Sequence, residues 1–138
     1  MTPEELRNRT RVFAGEIVRL VEAMPRSRSA DVIGNQLMRA GTSVAANYRS
    51  ACRARSRREF IAKMGIVEEE ADETELWLDF AAEQRLGPPQ RVEALREEAE
   101  QLVAIVVSSI RTACRSGRSN PQSAIRNPQC SYIAPSYT

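Results

Sequence analysis

Five arginines stand within the ten residues "RSACRARSRR", and Glu59 is the first acid after them. They are Arg49, Arg53, Arg55, Arg57 and Arg58. Guanidinium groups at this density suit bidentate contacts to phosphate oxygens, so the chemistry on offer is recognition of an anionic polymer rather than bond making. The bland alternative is a solvated cluster at a helix end. Tyr48 is the one aromatic beside them, which gives little basis for base stacking or sequence readout.

A second set lies just upstream. Gln36, Ser43 and Asn47 run beside an apolar seam from Leu37 to Val44. A tight turn near Ala54 and Arg55 brings the next helix back, which sets Arg39 opposite Glu70 and Gln36 opposite Glu73. The expectation is a buried polar network of Gln36, Arg39, Ser43, Asn47, Glu70 and Glu73, because polar groups this near a core must be hydrogen-bonded.

Catalytic constellations are missing from the sequence. There is no histidine, which removes Ser–His and Cys–His nucleophile pairs and the Glu-x-x-His sites of di-iron bundles. "AGTSVA" lacks the Gly-Lys-Ser/Thr ending of a phosphate loop. The run "EEEADETE", residues 68–75, has carboxylates enough for a divalent ion, but reads first as a solvated face or a partner for arginines. No metal, cofactor or enzymatic activity is expected. Cys52, Cys114 and Cys130 are odd in number and widely spaced, as in a cytoplasmic protein with reduced thiols.

The elements that must position these groups are four helices. A chain of 138 residues is long enough for one domain with its own core, and no run is apolar enough to span a membrane. The first helix opens at Thr2-Pro3 with Glu5 completing a capping box, carries Leu6, Phe13, Ile17, Leu20 and Met24, and stops at Pro25. The second is expected from about Ala30 to Arg53. The third opens at the capping box Ser56 to Glu59 and carries Phe60, Met64, Val67, Ala71, Thr74, Leu78 and Ala81. Alternating steps of three and four suit helices packed side by side. The fourth is expected from about Gln90 to Cys114. Gly34, Gly41 and Gly65 read as places where helices approach closely.

Within the fourth helix, Leu102, Ile105, Val106 and Val107 make a segment apolar on every side, which must be buried on every side. Either a second subunit covers it or it lies deep under the other helices. From Ser116 the chain turns rich in Ser, Asn and Pro and loses its period. It reads as a flexible tail outside a bundle of residues 1–115, with docking through Tyr132, Ile133 and Tyr137 as the alternative.

Charge is split along the chain. Residues 1–58 hold twelve arginines against five acids, whereas residues 59–100 hold thirteen acids against four bases. Either the helix faces pair with one another, or the molecule is a polar assembly with one basic surface.

One ordered set of residues carries a resemblance. Gln36-x-x-Arg39-Ala40-Gly41-x-Ser43-x-x-Ala46-Asn47, then Ser56-x-x-Glu59-Phe60, then Glu70-Ala71-x-Glu73-Thr74-x-x-Trp77-Leu78, resembles the four-helix-bundle protein family over about residues 6–113. That family includes proteins encoded in intervening sequences of bacterial large-subunit ribosomal RNA genes and the accessory variability protein of diversity-generating retroelements. The resemblance implies an all-α, antiparallel up-down-up-down four-helix bundle assembled as a barrel-shaped homopentamer without enzymatic activity. For the retroelement relatives it implies basic proteins that bind nucleic acid and a reverse transcriptase. This chain departs from them in its near-neutral balance and in Tyr48-Arg49-Ser50 after Asn47.

Two functions therefore stand at this point. One is a non-enzymatic oligomeric scaffold that binds RNA or a ribonucleoprotein through Arg49–Arg58. The other is a protein-interaction assembly that uses its arginines between subunits. Where the arginines point discriminates the two.

Overall fold

The computed structural model describes residues 1–118, and residues 119–138, which hold most of the expected tail with Tyr132, Ile133 and Tyr137, lie outside the described residues. Four helices follow in order: α1 (Pro3–Glu22), α2 (Arg28–Cys52), α3 (Arg57–Glu83) and α4 (Pro89–Arg118). Among the described residues there is no strand.

Side chains set the helix starts. Thr2 Oγ1 accepts from Glu5 N and the Glu5 carboxylate accepts from Thr2 N, which satisfies two N–H groups left over at the start of α1. Ser27 caps α2 by accepting from Ala30 N, so the helix begins two residues before the expected Ala30. Ser56 accepts from Glu59 N, while the Glu59 carboxylate reaches past it to Arg55 N. At the other end of α3, Leu86 N bonds Ala81 O and Arg85 N bonds Ala82 O. This Schellman stop needs a left-handed residue, and Arg85 supplies it at φ 56°.

Neighbours in sequence pack against each other: α1 on α2, α2 on α3 and α3 on α4, with α1 and α4 touching least. Phe13, Ile17, Leu20, Leu37, Met64, Leu78, Leu102 and Ile110 fill the centre. A Cβ on Gly41 would stand 2.9 Å from Ile17 Cγ2, and one on Gly34 3.0 Å from Val21 Cγ1, so both glycines let α2 approach α1. Gly65 plays no such part, since a Cβ there would meet nothing within 4 Å.

Two expectations are corrected here. The segment Leu102–Val107 needs no second subunit to cover most of it. Leu102 and Val106 are fully buried and Val103 and Val107 nearly so by this chain alone, leaving Ile105 half-buried. The α4 helix lies against α3 along its length and meets α1 near Glu98 and Gln101, so this stretch has neighbours on two sides. The α4 helix also continues past the expected stop at Cys114 to Arg118. There Gly117 is buried beneath the Arg57 side chain at the start of α3, which gives the last turn a packing partner.

Candidate nucleic-acid interface

At the end of the bundle formed by the start of α1 and the α2–α3 turn, two shallow grooves flank the C-terminal turns of α2. One, of about 670 Å³, lies between α1 and α2 and is lined by Arg7, Asn8, Arg11, Arg49 and Arg53, with Ala45 and Ala46 among its walls. The other, of about 490 Å³, lies between α2 and α3 and is lined by Arg49, Ser50, Arg53, Arg55 and Lys63. The shared residues Ala46, Arg49 and Arg53 make the two one continuous surface.

Helix geometry explains the array. Arg7 and Arg11 are four residues apart on α1, and Arg49 on α2 is followed four residues later by the C-cap residue Arg53, so each pair extends from one side of its helix. Leu6, Phe13, Val44, Tyr48 and Ala51 hold the opposite, inward faces. Small side chains at Ala45 and Ala46 leave room between the rows. Arg7, Arg11, Arg49, Arg53 and Arg55 are all exposed, and among the described residues none of them forms an ion pair. Glu4 lines the first groove and Glu59 the second, the latter with its carboxylate accepting from Arg55 N.

The five arginines singled out by sequence are thus divided. Arg49, Arg53 and Arg55 meet on one surface. Arg58 is exposed but lines neither groove, and Arg57 is turned onto Gly117 of α4. The sequence reading missed Arg7, Arg11 and Lys63. A signal existed for the first two, since they repeat at four-residue spacing on the outward side of the Leu6–Phe13 seam. Tyr48 is not available for stacking. It is 3% exposed, and its hydroxyl donates to Pro3 O at 3.3 Å. Burial raises its pKa first, and a hydrogen bond with Cys52 adds to that.

Arg39 behaves differently. It donates to Gln36 Oε1 at 3.0 Å, to Glu70 Oε2 at 3.3 Å, and to Glu73. The expected partners meet, but not in a buried site: the Arg39 side chain is 46% exposed. These groups sit on the outer flank of the α2–α3 seam, where a long guanidinium reaches its partners without leaving water. Nor is the set one network. Ser43 Oγ donates to Arg39 O, and Asn47 Nδ2 donates to Ser43 O, so both are satisfied by the backbone of α2. Partial burial raises the pKa of Glu70, opposed by the nearby Arg39.

A third charged region lies between α3 and α4, where Asp72, Glu75, Asp79 and Glu100 surround Leu76, Val103 and Ala104. Arg96 Nε lies 2.8 Å from Asp79 Oδ1, an ion pair set off the hydrogen-bond axis. Burial raises the pKa of Glu75, and Glu100, Asp79 and Asp72 raise it further.

The model of the 23S rRNA-intervening sequence proteins matches residues 5–108, which covers all four helices apart from the last turns of α4. The chain belongs to the 23S rRNA-intervening sequence protein family. The fold of this intervening-sequence protein is also similar to the crystal structure of a protein of unknown function from the S23 ribosomal protein family of Bacteroides thetaiotaomicron. The TM-score is 0.72 at 30% sequence identity, over 77% of this chain and 98% of that one. No curated protein sequence matches it. Arg7, Arg11, Arg49, Arg53, Arg55 and Lys63 all fall inside the stretch that the family model matches. Among the described residues of this family member, no helix is long and apolar enough to cross a membrane.

Proposed function

We propose that this protein is a non-enzymatic scaffold, an antiparallel up-down-up-down bundle that binds RNA through the surface of Arg7, Arg11, Arg49, Arg53, Arg55 and Lys63. One observation carries the reading: arginines from two helices and a turn converge on one face, outnumber the two acids there, Glu4 and Glu59, and, among the described residues, form no ion pair with them. Arginines used inside the molecule look different here, as the ion pairs of Arg9 with Glu98 and of Arg39 with Glu73 demonstrate. The family's association with ribosomal RNA intervening sequences is in keeping with an RNA partner. The spacing of the cysteines favours a cytoplasmic setting.

Assembly into a homo-oligomer, a pentamer by the resemblance, belongs to the same reading. It would multiply weak phosphate contacts around a ring. With most of Leu102–Val107 covered by its own chain, the surface offered for assembly moves to the outer face of α3. Ile66, Leu76 and Phe80 are exposed there, Leu76 at 48%.

The test is fluorescence anisotropy with labelled RNA over a salt series. If about four phosphates are neutralised, affinity falls roughly 100-fold between about 50 and 200 mM salt. Replacing Arg7, Arg11, Arg49 and Arg53 together abolishes that salt-dependent binding and leaves the helical circular dichroism intact. Absence of RNA binding at low salt sinks the reading and leaves the second one, a protein-interaction assembly. That second reading is favoured by the apolar outer face of α3, and light scattering of a Leu76→Glu, Phe80→Glu variant tests it. An oligomer that persists unchanged in that variant removes this face from the interface.

A further inference from the structure

We propose, resting on the RNA-binding reading above, that this surface takes duplex RNA across its minor groove rather than a single strand. The first reason is width. The basic groups stand on α1, on α2 and on the α3 side of the next groove. Neighbouring helix axes lie about 8–10 Å apart, and α1 and α3 stand diagonally across the bundle with α2 between them, so the outer rows, Arg7 and Arg11 on one side and Arg55 and Lys63 on the other, stand over axes roughly 11–14 Å apart. A single backbone follows one row and leaves the other unused. A duplex presents two phosphate backbones across a groove, and in the A form that groove is wide and shallow.

The second reason is spacing within a row. Residues four apart on a helix advance about 6 Å along its axis, close to the repeat of successive phosphates on one strand. Arg7–Arg11 makes this step within α1, and Arg49 makes it to Arg53, the C-cap residue of α2. The third reason is the fate of the one aromatic in the arginine-rich stretch. Proteins that hold single strands without sequence preference stack bases on aromatic rings. Tyr48 is instead packed inward with its hydroxyl on Pro3 O. Beside Ala45 and Ala46, small polar side chains stand with the arginines: Asn8 in the first groove and Ser50 in the second. Both suit hydrogen bonds to the 2′-hydroxyls that line an RNA minor groove.

The experiment uses the full chain and three labelled probes of one sequence: an RNA duplex of about 20 base pairs, its unstructured single strand, and the matching DNA duplex, all at one salt concentration. The RNA duplex is expected to bind at least about tenfold more tightly than either of the others. Two double variants separate the rows. Arg7→Ala with Arg11→Ala, and Arg55→Ala with Lys63→Ala, should each weaken duplex binding by a similar factor, because a duplex touches both sides. A single strand that binds as well as the duplex overturns the proposal, as does a duplex affinity that depends on one pair alone. Equal affinity for the DNA duplex overturns the minor-groove assignment. No binding to any probe at low salt is the failure of the RNA reading itself, a result distinct from these.

Discussion

Arg39 and Arg49 stand on the same helix and have opposite fates. Arg39 is held by Gln36, Glu70 and Glu73, whereas Arg49 lines an open groove with Arg7, Arg11 and Arg53. The difference does not come from α2, which presents both outward. It comes from what the neighbouring helices bring level with each. Opposite Arg39, α3 presents two carboxylates. Around Arg49, α3 presents Lys63 and Glu59, whose carboxylate is taken up by Arg55 N, and α1 presents Arg7 and Arg11 against the single acid Glu4. Glycine shows the same dependence on place, Gly41 being pressed against Ile17 and Gly65 standing free. So do the carboxylates, since Glu70 has a guanidinium beside it and Glu75 is surrounded mainly by other acids.

The largest effect expected from these contrasts is on binding. Arg7→Ala, Arg11→Ala, Arg49→Ala and Arg53→Ala combined should weaken RNA binding by more than about 100-fold at low salt, while the unfolding free energy moves by about 0.5 kcal/mol or less per site. Arg39→Ala should leave RNA affinity unchanged in the same anisotropy assay. If Arg39→Ala costs as much RNA affinity as Arg49→Ala, the division of α2 into a paired end and a binding end is wrong.

Next comes the glycine pair, read by urea denaturation. Gly41→Ala drives a methyl group into Ile17, and overpacking of this kind costs about 1–3 kcal/mol, more than the helix propensity gained. Gly65→Ala has open space and should gain roughly 0.5–1 kcal/mol. A stabilising Gly41→Ala would show that α1 and α2 can move apart at no cost.

Arg39→Ala should then lower stability by no more than about 1 kcal/mol, because the pair is half-exposed and screened. A loss of about 3–5 kcal/mol, the cost of leaving one partner of a buried pair uncompensated, would mean that assembly buries this flank.

The smallest effect is titratable. The pKa of Glu75 is raised in the folded chain, chiefly by burial and then by Glu100, Asp79 and Asp72, so proton uptake favours the fold. The penalty on the ionised carboxylate is absent below the unfolded carboxyl range and complete once the pH exceeds the folded value. Glu75→Gln should therefore raise stability at neutral pH by under about 1 kcal/mol, and the gain should vanish below about pH 4. Thermal melts of both proteins at the two pH values check the sign, and a gain that grows on acidification contradicts it.

What is local could be read from the residues. Thr2-Pro3 and Ser56 with Glu59 fixed two helix starts, because a side-chain oxygen three residues from a backbone N–H can satisfy it whatever the rest of the chain does. The apolar steps of three and four fixed which faces turn inward, since helical geometry alone puts those residues on one side. The level of Arg39 with Glu70 and Glu73 was legible too, because a short turn between two long helices leaves little freedom of register. The remainder depends on how the helices pack. Whether Leu102–Val107 is covered by its own chain depends on how α4 lies against α1 and α3, which no residue of α4 encodes. Arg57 was separated from its neighbours by Gly117, sixty residues away in the chain. Arg7 and Arg11 joined Arg49 and Arg53 because the close approach at Gly34 and Gly41 sets α1 beside α2, so a basic surface that looks like one cluster in the sequence is completed by a helix that precedes it.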